Sequence, residues 1–262
     1  MAETDEIKNT DAKTGSARPG SPPQLPHIDI SEKGRDADGS ATSLNRRLFM
    51  QFMALEGEGG IEELVALSQK ENPQWVLYQD FNDPRGAGVL VFCEDPAYVS
   101  EVIHPLLNSS VGKNWKVRPE FTMVGRTYSI GYESDLEEVL INRPVTKICD
   151  PELPWSVWYP VRRSGLFERQ SREEQRKMLL EHGGIGHAYG KAGYATDIRL
   201  AGHGLNKDDN DFIVGLLGKE LFPLSALVQH MRRTRQTSEF IERMGPFFVG
   251  KTIWQPQPEL GR

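Results

Sequence analysis

A histidine on the apolar face of a predicted helix is the residue of this sequence best placed to do chemistry. Ser171 is followed three residues later by Glu174, a capping-box pattern that predicts the start of a helix. On that helix Met178, Leu179 and His182 are related by steps of three and four residues, which places the imidazole among apolar side chains. A neutral imidazole there could bind a metal such as iron. A histidine whose nitrogens are satisfied within the core is the alternative.

Three glycines follow this histidine closely, at Gly183, Gly184 and Gly186. Glycine ends helices readily, and it also lets another group approach a helix backbone. We therefore expect either that the helix ends here or that something flat and large lies against this surface. In the second case Met178 is expected to contact the bound group.

The elements that must position these residues occur in the same order twice. Apolar runs, amphipathic runs and turn residues predict β-α-β-β-α-β in the first half, over 48–55, 60–67, 75–78, 89–92, 96–103 and 122–132. The second half repeats the order over 155–159, from 171 onward, 198–203, 212–217, 223–231 and 247–250. This pattern predicts an α+β protein of two tandem ferredoxin-like halves. Neither half alone covers both faces of its sheet, so we expect the sheets to pack together as a dimeric α+β barrel.

Composition divides the chain into three parts. Residues 1–42 are poor in large apolar side chains and rich in Gly, Ser, Pro, Asp and Lys, which predicts a disordered acidic tail. The two halves are predicted to occupy 43–150 and 151–262, the second of them holding the candidate site.

Charge and cysteine content exclude several function classes. The formal net charge is −6 and the isoelectric point is near 5.6, which argues against nucleic acid as a partner. Two cysteines, Cys93 and Cys149, cannot form a disulfide framework, so a reducing compartment is expected. No apolar run reaches membrane-spanning length, and the start of the chain lacks a signal-peptide pattern. We expect a cytoplasmic protein without a membrane partner.

An ordered set of short motifs in the second half carries a family resemblance. It comprises Trp158-Tyr159-Pro160, the basic pair Arg162 and Arg163, the run EEQRKMLLEHG, Met231-Arg232 and the run GPFFVG. Over roughly 155–250 the chain resembles the chlorite dismutase family, which includes the coproheme decarboxylases. The resemblance implies the same tandem barrel, a haem cofactor (coproheme or haem b, with its iron) and a ring-shaped homo-oligomer, commonly a pentamer.

The resemblance also implies roles for individual residues. His182 matches the proximal haem ligand of the family. Tyr159 matches the tyrosine that, in coproheme decarboxylases, relays oxidation by peroxide to a propionate of the porphyrin; a strand aromatic with its hydroxyl at the surface is the alternative. Arg163 falls where those enzymes carry a cation near a propionate, and Arg162 stands beside it. The two arginines could instead form a solvated pair. Since consecutive strand residues point to opposite faces, we do not expect both to serve one site.

Three departures from the family pattern affect the predicted activity. The distal arginine of chlorite-degrading members is replaced by Ala195, and using Arg199 would require a local shift. No histidine lies between His104 and His182 to act as a distal base. The acidic partner of the proximal imidazole would fall near Arg235, which cannot accept its hydrogen bond.

We therefore rank peroxide-driven decarboxylation of coproheme to haem b above chlorite decomposition. The alternatives are another haem oxidoreductase of this fold, such as a weak peroxidase or a chlorite-degrading enzyme, and a haem-binding or sensing protein without turnover. His187 and His203 are assigned no role.

Overall fold

The computed structural model describes residues 28–257 as a mixture of strands and helices. The strands are β1 (Glu32–Arg35), β2 (Ala41–Leu44), β3 (Phe49–Gly57), β4 (Trp75–Asp80), β5 (Gly86–Cys93), β6 (Trp115–Arg126), β7 (Trp155–Arg163), β8 (Thr196–Ala201), β9 (Phe212–Gly218), β10 (Ile241–Met244) and β11 (Phe248–Trp254). The α-helices are α1 (Ile61–Glu71), α2 (His104–Leu107), α3 (Arg143–Ile148), α4 (Arg172–Lys191), α5 (Leu221–Met231) and α6 (Arg235–Phe240). Short π-helical stretches, Val99–Ile103 and Glu138–Asn142, lead into α2 and α3, and a 3-10 turn, Gly112–Asn114, precedes β6.

Eight antiparallel strands close into a barrel. Their order is β7-β11-β4-β5-β3-β6-β8-β9, and β9 pairs back onto β7 to complete the ring. Each half contributes its strands in the same spatial order, second, third, first and fourth, as β4-β5-β3-β6 and β8-β9-β7-β11. The predicted tandem ferredoxin-like halves and the closed α+β barrel are therefore confirmed. Strand β10 is an addition that pairs with the end of β7 beside β11.

Aromatic side chains fill the interior of the barrel. The ring of Phe52 lies 4.6 Å from that of Phe248 and 6.2 Å from that of Trp158, centroid to centroid. Space for these rings comes from positions without side chains: a Cβ on Gly215 would overlap the ring of Trp158. This interior is packed with protein side chains, which leaves the outer faces of the barrel, under the helices, to hold a site.

The two outer faces are covered by separate layers of helices. In the N-terminal half α1 and the helical turn around Ile103 pack on β4 and β5. In the C-terminal half α4 and α5 cover β7 and β9. The capping box predicted for α4 is present in part, since the backbone N–H of Glu174 donates to Oγ of Ser171.

Several elements differ from the sequence-based prediction. The tail prediction is wrong for residues 32–42, which lie in the hairpin of β1 and β2. Glu32 of this hairpin accepts hydrogen bonds from Arg126 of β6 and from Ser129 just beyond it. The rest of the predicted tail, 1–27, lies outside the described residues. Helix α3 forms in a segment expected to be a connector, and α6 and β10 were not predicted. The predicted boundary at residue 150 falls between α3 and β7, within one compact unit that begins at Ser31.

Within the described part of the chain, none of the helices has both the length and the apolar character needed to cross a membrane.

Candidate functional site

The outer face of the C-terminal sheet carries polar side chains in register across three strands. Tyr159 on β7 pairs with Val214 on β9, and Val214 pairs with Arg199 on β8. Residues directly paired across a sheet point to the same side, and neighbouring strands lie about 4.8 Å apart. Tyr159 and Arg199 therefore project from the same face about 10 Å apart, with a valine between them. Asp197 occupies the adjacent row on this face, paired with Leu216.

Tyr159 is buried in an apolar wall. Its ring stacks on that of Phe247 with centroids 4.4 Å apart and planes inclined by 20°. Burial raises the pKa of Tyr159 well above its usual value; the Asp197 carboxylate adds to the rise, and Arg232 opposes it. The hydroxyl has no hydrogen-bond partner among residues 28–257. The phenol is thus held protonated, with its O–H free to meet a bound molecule.

The two predicted arginines point to opposite sides of β7, as strand geometry requires. Arg163 shares the face of Tyr159: its guanidinium lies 4.1 Å from the ring centroid of Phe167 and donates to Glu168 at 2.8 Å. Arg162 lies on the other side, within ion-pair distance of Asp209 and Glu242. Of the two, only Arg163 lies on the face that carries Tyr159, and Arg162 belongs to a solvated charge cluster.

Helix α4 continues through its glycines. The expectation that Gly183, Gly184 or Gly186 ends the helix is wrong, because regular helix extends to Lys191. A Cβ placed on Gly183 or Gly184 would meet nothing within 4 Å. Glycine inside a helix costs about 1 kcal/mol relative to alanine. The glycines therefore leave open space along this part of α4 at a cost in stability.

Met178 is the one residue of α4 that is fully buried, with 2% of its surface exposed. It packs with Phe167 and Phe240 in a small apolar cluster of its own. This cluster anchors the first half of α4 against the segment that follows β7. The structure places Met178 apart from the apolar wall around Tyr159.

His182 lies one turn beyond Met178 and is partly buried. Its Nδ1 lies 3.2 Å from Oγ1 of Thr234, the residue that precedes α6. Burial lowers the pKa of His182, and the positive charge of Arg199 lowers it further, against smaller opposing effects of Asp197 and Glu181. The other ring nitrogen, Nε2, has no hydrogen-bond partner among residues 28–257. A neutral imidazole with one engaged and one free nitrogen is the state that ligates a metal.

Strand β8 contributes an ion pair to the site face. Nε of Arg199 lies 3.0 Å from a carboxylate oxygen of Asp197. Both members of this pair shift the pKa of His182, and the Asp197 carboxylate also raises the pKa of Tyr159. Ala195, at the position expected for a distal arginine, is buried in the apolar wall. Alternate residues of an extended chain share a face, so Ala195, Asp197 and Arg199 lie on the same side of the sheet. The guanidinium of Arg199 therefore supplies a cation four residues beyond Ala195.

Sequence reasoning missed Thr234 and Asp197. The signal for Asp197 was available, because alternate residues along an extended chain share a face and Asp197 lies two residues beyond Ala195. Thr234 lies 52 residues from His182 on another element. Nothing in the local sequence indicates that the two meet.

Taken together, the outer face offers one neutral imidazole, an apolar wall, a free phenol and the guanidinium groups of Arg163 and Arg199. An apolar wall with cations at its edge suits a flat group that carries carboxylates, and the free nitrogen of His182 suits its metal.

The comparison with solved structures returns the same fold. Chlorite dismutase from Candidatus Nitrospira defluvii, as a double mutant, aligns with a TM-score of 0.62 at 12% identity, over 80% of this chain and 92% of that one. The same enzyme in complex with imidazole aligns with a TM-score of 0.62 at 11% identity and the same coverage. A novel heme-binding protein from Thermus thermophilus aligns with a TM-score of 0.59 at 17% identity, over 79% of this chain and 91% of that one.

The sequence comparisons identify the family. No curated protein matches the chain by sequence. The family profile described as chlorite dismutase matches residues 89–253, which is more than half of the chain and includes every candidate site residue. The chain therefore belongs to the chlorite dismutase family.

Proposed function

We propose that this protein binds haem between α4 and the outer face of the C-terminal sheet, with His182 as the axial ligand of the iron. Membership of the family and the likeness to a heme-binding protein support haem as the cofactor. The donor set fits it, because Nε2 of His182 is free and the imidazole is biased to the neutral form. Arg163 and Arg199 would hold carboxylates at the edge of the porphyrin.

We propose further that the substrate is coproheme and that the reaction is its oxidative decarboxylation to haem b by peroxide. When bound, the haem iron supplies the oxidising centre that reacts with peroxide. For each propionate, one peroxide and one proton yield a vinyl group, carbon dioxide and two water molecules. Two such events convert coproheme to haem b.

The single observation that carries this proposal is the state of Tyr159. Its phenol is buried, protonated and without a hydrogen-bond partner among residues 28–257. A phenol in this state holds its proton on Oη until it loses an electron. Since residues 28–257 offer no acceptor for that proton, it would pass to a carboxylate of the bound porphyrin. Phe247 stacks on the ring and fixes its plane, and Arg163 on the same face would orient a propionate toward it.

Titration of the apoprotein with ferric coproheme and with haem b, followed by peroxide and mass analysis of the porphyrin, tests the proposal. We expect loss of two carboxyl groups from coproheme. Tight binding of haem b together with an unchanged coproheme would overturn the decarboxylase assignment and leave the haem-binding one.

Tyr159→Phe tests the role of the phenol. The variant keeps the ring that packs on Phe247 and removes only the free hydroxyl. We expect decarboxylation to fall by at least about 100-fold, the lower end of the effect of a proton-transferring group, with the affinity for coproheme within about 2-fold. Tyr189→Phe is the matched control, since Tyr189 already uses its hydroxyl to bond His230 at 2.8 Å. Undiminished decarboxylation by Tyr159→Phe would refute the mechanism.

Two alternatives rank below decarboxylation. A haem-binding or sensing protein without turnover is supported by the likeness to the Thermus thermophilus protein. Chlorite decomposition is disfavoured by the buried Ala195 at the expected cation position. Rapid oxygen release from chlorite would overturn this ranking.

We also propose a homo-oligomer, a pentamer by analogy with the family. Native mass spectrometry of the haem-loaded protein tests it, and a monomer at micromolar concentration would contradict it.

A further inference from the structure

The hydroxyl of Thr234 is the one group of the described chain that hydrogen-bonds His182 closely. Thr234 is 1% exposed and stands at the start of α6, where its Oγ1 also accepts the N–H of Thr237. The second hydroxyl nearby, that of Thr237, is 3.5 Å from Nδ1 and therefore at the limit of a hydrogen bond. The contact at 3.2 Å with Thr234 is the one that determines where the imidazole proton lies.

The hydroxyl of Thr234 has one proton, and it can make a shorter hydrogen bond to a backbone carbonyl than to the imidazole. Oγ1 lies 2.8 Å from the carbonyl oxygen of Met231, which can only accept a hydrogen bond. With its proton directed to Met231, the oxygen of Thr234 faces Nδ1 as an acceptor. The imidazole must then be the donor, with its proton on Nδ1.

We infer that Thr234 is a positioning residue that holds His182 as the Nδ1–H tautomer and so presents the lone pair of Nε2 for ligation. The tautomer is a property of the apoprotein. Its consequence for haem rests on the function proposed above.

The acceptor is a neutral hydroxyl because Arg235 occupies the neighbouring carboxylates. The guanidinium of Arg235 pairs with Glu174 at 2.6 Å and with Glu239 at 3.1 Å. Its backbone N–H donates to Glu181 at 3.2 Å. No carboxylate among residues 28–257 hydrogen-bonds His182. A neutral acceptor makes the imidazole a weaker donor to iron than a carboxylate acceptor would, which favours the ferrous state.

The tautomer is tested by nitrogen NMR of the apoprotein labelled with 15N-histidine, at mildly alkaline pH. The His182 signals are assigned by their loss in His182→Gln. We expect Nδ1 to appear as a protonated nitrogen and Nε2 as an unprotonated one. Thr234→Ser should keep this pattern, and Thr234→Val should make the Nε2–H form predominant. Thr237→Val is the matched control and should change nothing. A predominant Nε2–H form in the wild-type apoprotein would overturn the inference, whether or not the protein binds haem.

The consequence for the cofactor is read from the iron–histidine stretching frequency and the reduction potential of the haem-loaded protein. Thr234→Asp retains a residue suited to cap α6 and supplies an anionic acceptor. We expect it to raise the stretching frequency and lower the potential, and Thr234→Val to weaken haem binding roughly 10- to 100-fold, as outer-shell changes do. If Thr234→Asp changes neither the stretching frequency nor the reduction potential, and the NMR result still shows the Nδ1–H tautomer, then Thr234 does not influence the iron. Absence of any haem binding would instead refute the proposed function and leave the tautomer standing.

Discussion

The two halves of the barrel have the same strand order but differ in what lies between sheet and helices. In the N-terminal half this layer is closed and apolar: Leu64 of α1 and the strand residues beneath it are fully buried. Within the layer Nε1 of Trp75 donates to Oγ of Ser68 at 2.9 Å, whereas Nε1 of Trp115 is buried without a hydrogen-bond partner among residues 28–257. In the C-terminal half only Met178 of the long helix α4 is fully buried.

The difference agrees with the proposed placement of the binding site in the C-terminal half. A closed apolar layer contributes to stability and has no room for a ligand. The C-terminal layer instead holds a free phenol at Tyr159, a partly buried imidazole at His182 and an ion pair on β8. Polar groups beneath an incompletely packed helix are costly unless a bound molecule uses them. We therefore place the chemistry in the half whose layer is not closed.

The largest expected effect is loss of the proposed axial ligand, His182, from the C-terminal layer. His182→Gln should weaken haem binding by at least about 100-fold, more than changes to outer-shell groups usually do. His104→Gln is the matched control, because it makes the same substitution on an exposed helix of the closed half. Absorption titrations with haem measure both affinities. Equal losses in the two variants would remove the functional distinction between the halves.

The next effect concerns stability. Leu64→Ala in the closed layer should lower the free energy of unfolding by about 2–5 kcal/mol, since it leaves a cavity under α1. Leu180→Ala on α4 should change it by less than about 0.5 kcal/mol, since that side chain is 64% exposed. Urea denaturation of the apoproteins gives both values. If Leu180→Ala lowers the free energy of unfolding as much as Leu64→Ala does, then Leu180 is buried by a further contact, such as one with a second subunit.

The smallest expected effect tests the open space beside α4. Gly183→Ala should stabilise the apoprotein by about 0.5–1 kcal/mol, because the added Cβ meets no neighbour and alanine favours helix. The corresponding change in the N-terminal half, Gly112→Ala, should destabilise by more than about 1 kcal/mol, since its Cβ would overlap the backbone oxygen of Leu106. Thermal unfolding of the two variants distinguishes these signs. Destabilisation by Gly183→Ala would show that this face of α4 is occupied in the apoprotein.

Much of this architecture could be predicted from periodicity alone. The alternation of β7 and the apolar spacing of β3, β4, β5 and β9 predict strands that the structure contains. The hairpin at 32–44 was missed because its residues are polar and its stability comes from contacts with the barrel rather than from its own core. The end of α4 was also predicted wrongly. Local propensity allows the helix to end at Gly183, but packing against α5, α6 and β8 stabilises it as far as Lys191.

The sequence by itself determined the repeated β-α-β-β-α-β order, the placement of His182 on a helix and the separation of Arg162 from Arg163, because all three follow from the fixed periods of helices and strands. Only the tertiary structure decided which side chains meet. Thr234 reaches His182 across 52 residues, and Arg199 enters the row of Tyr159 through an intervening strand. Such contacts depend on strand register and helix docking, which are set by the packing of the whole barrel and leave no local pattern in the chain.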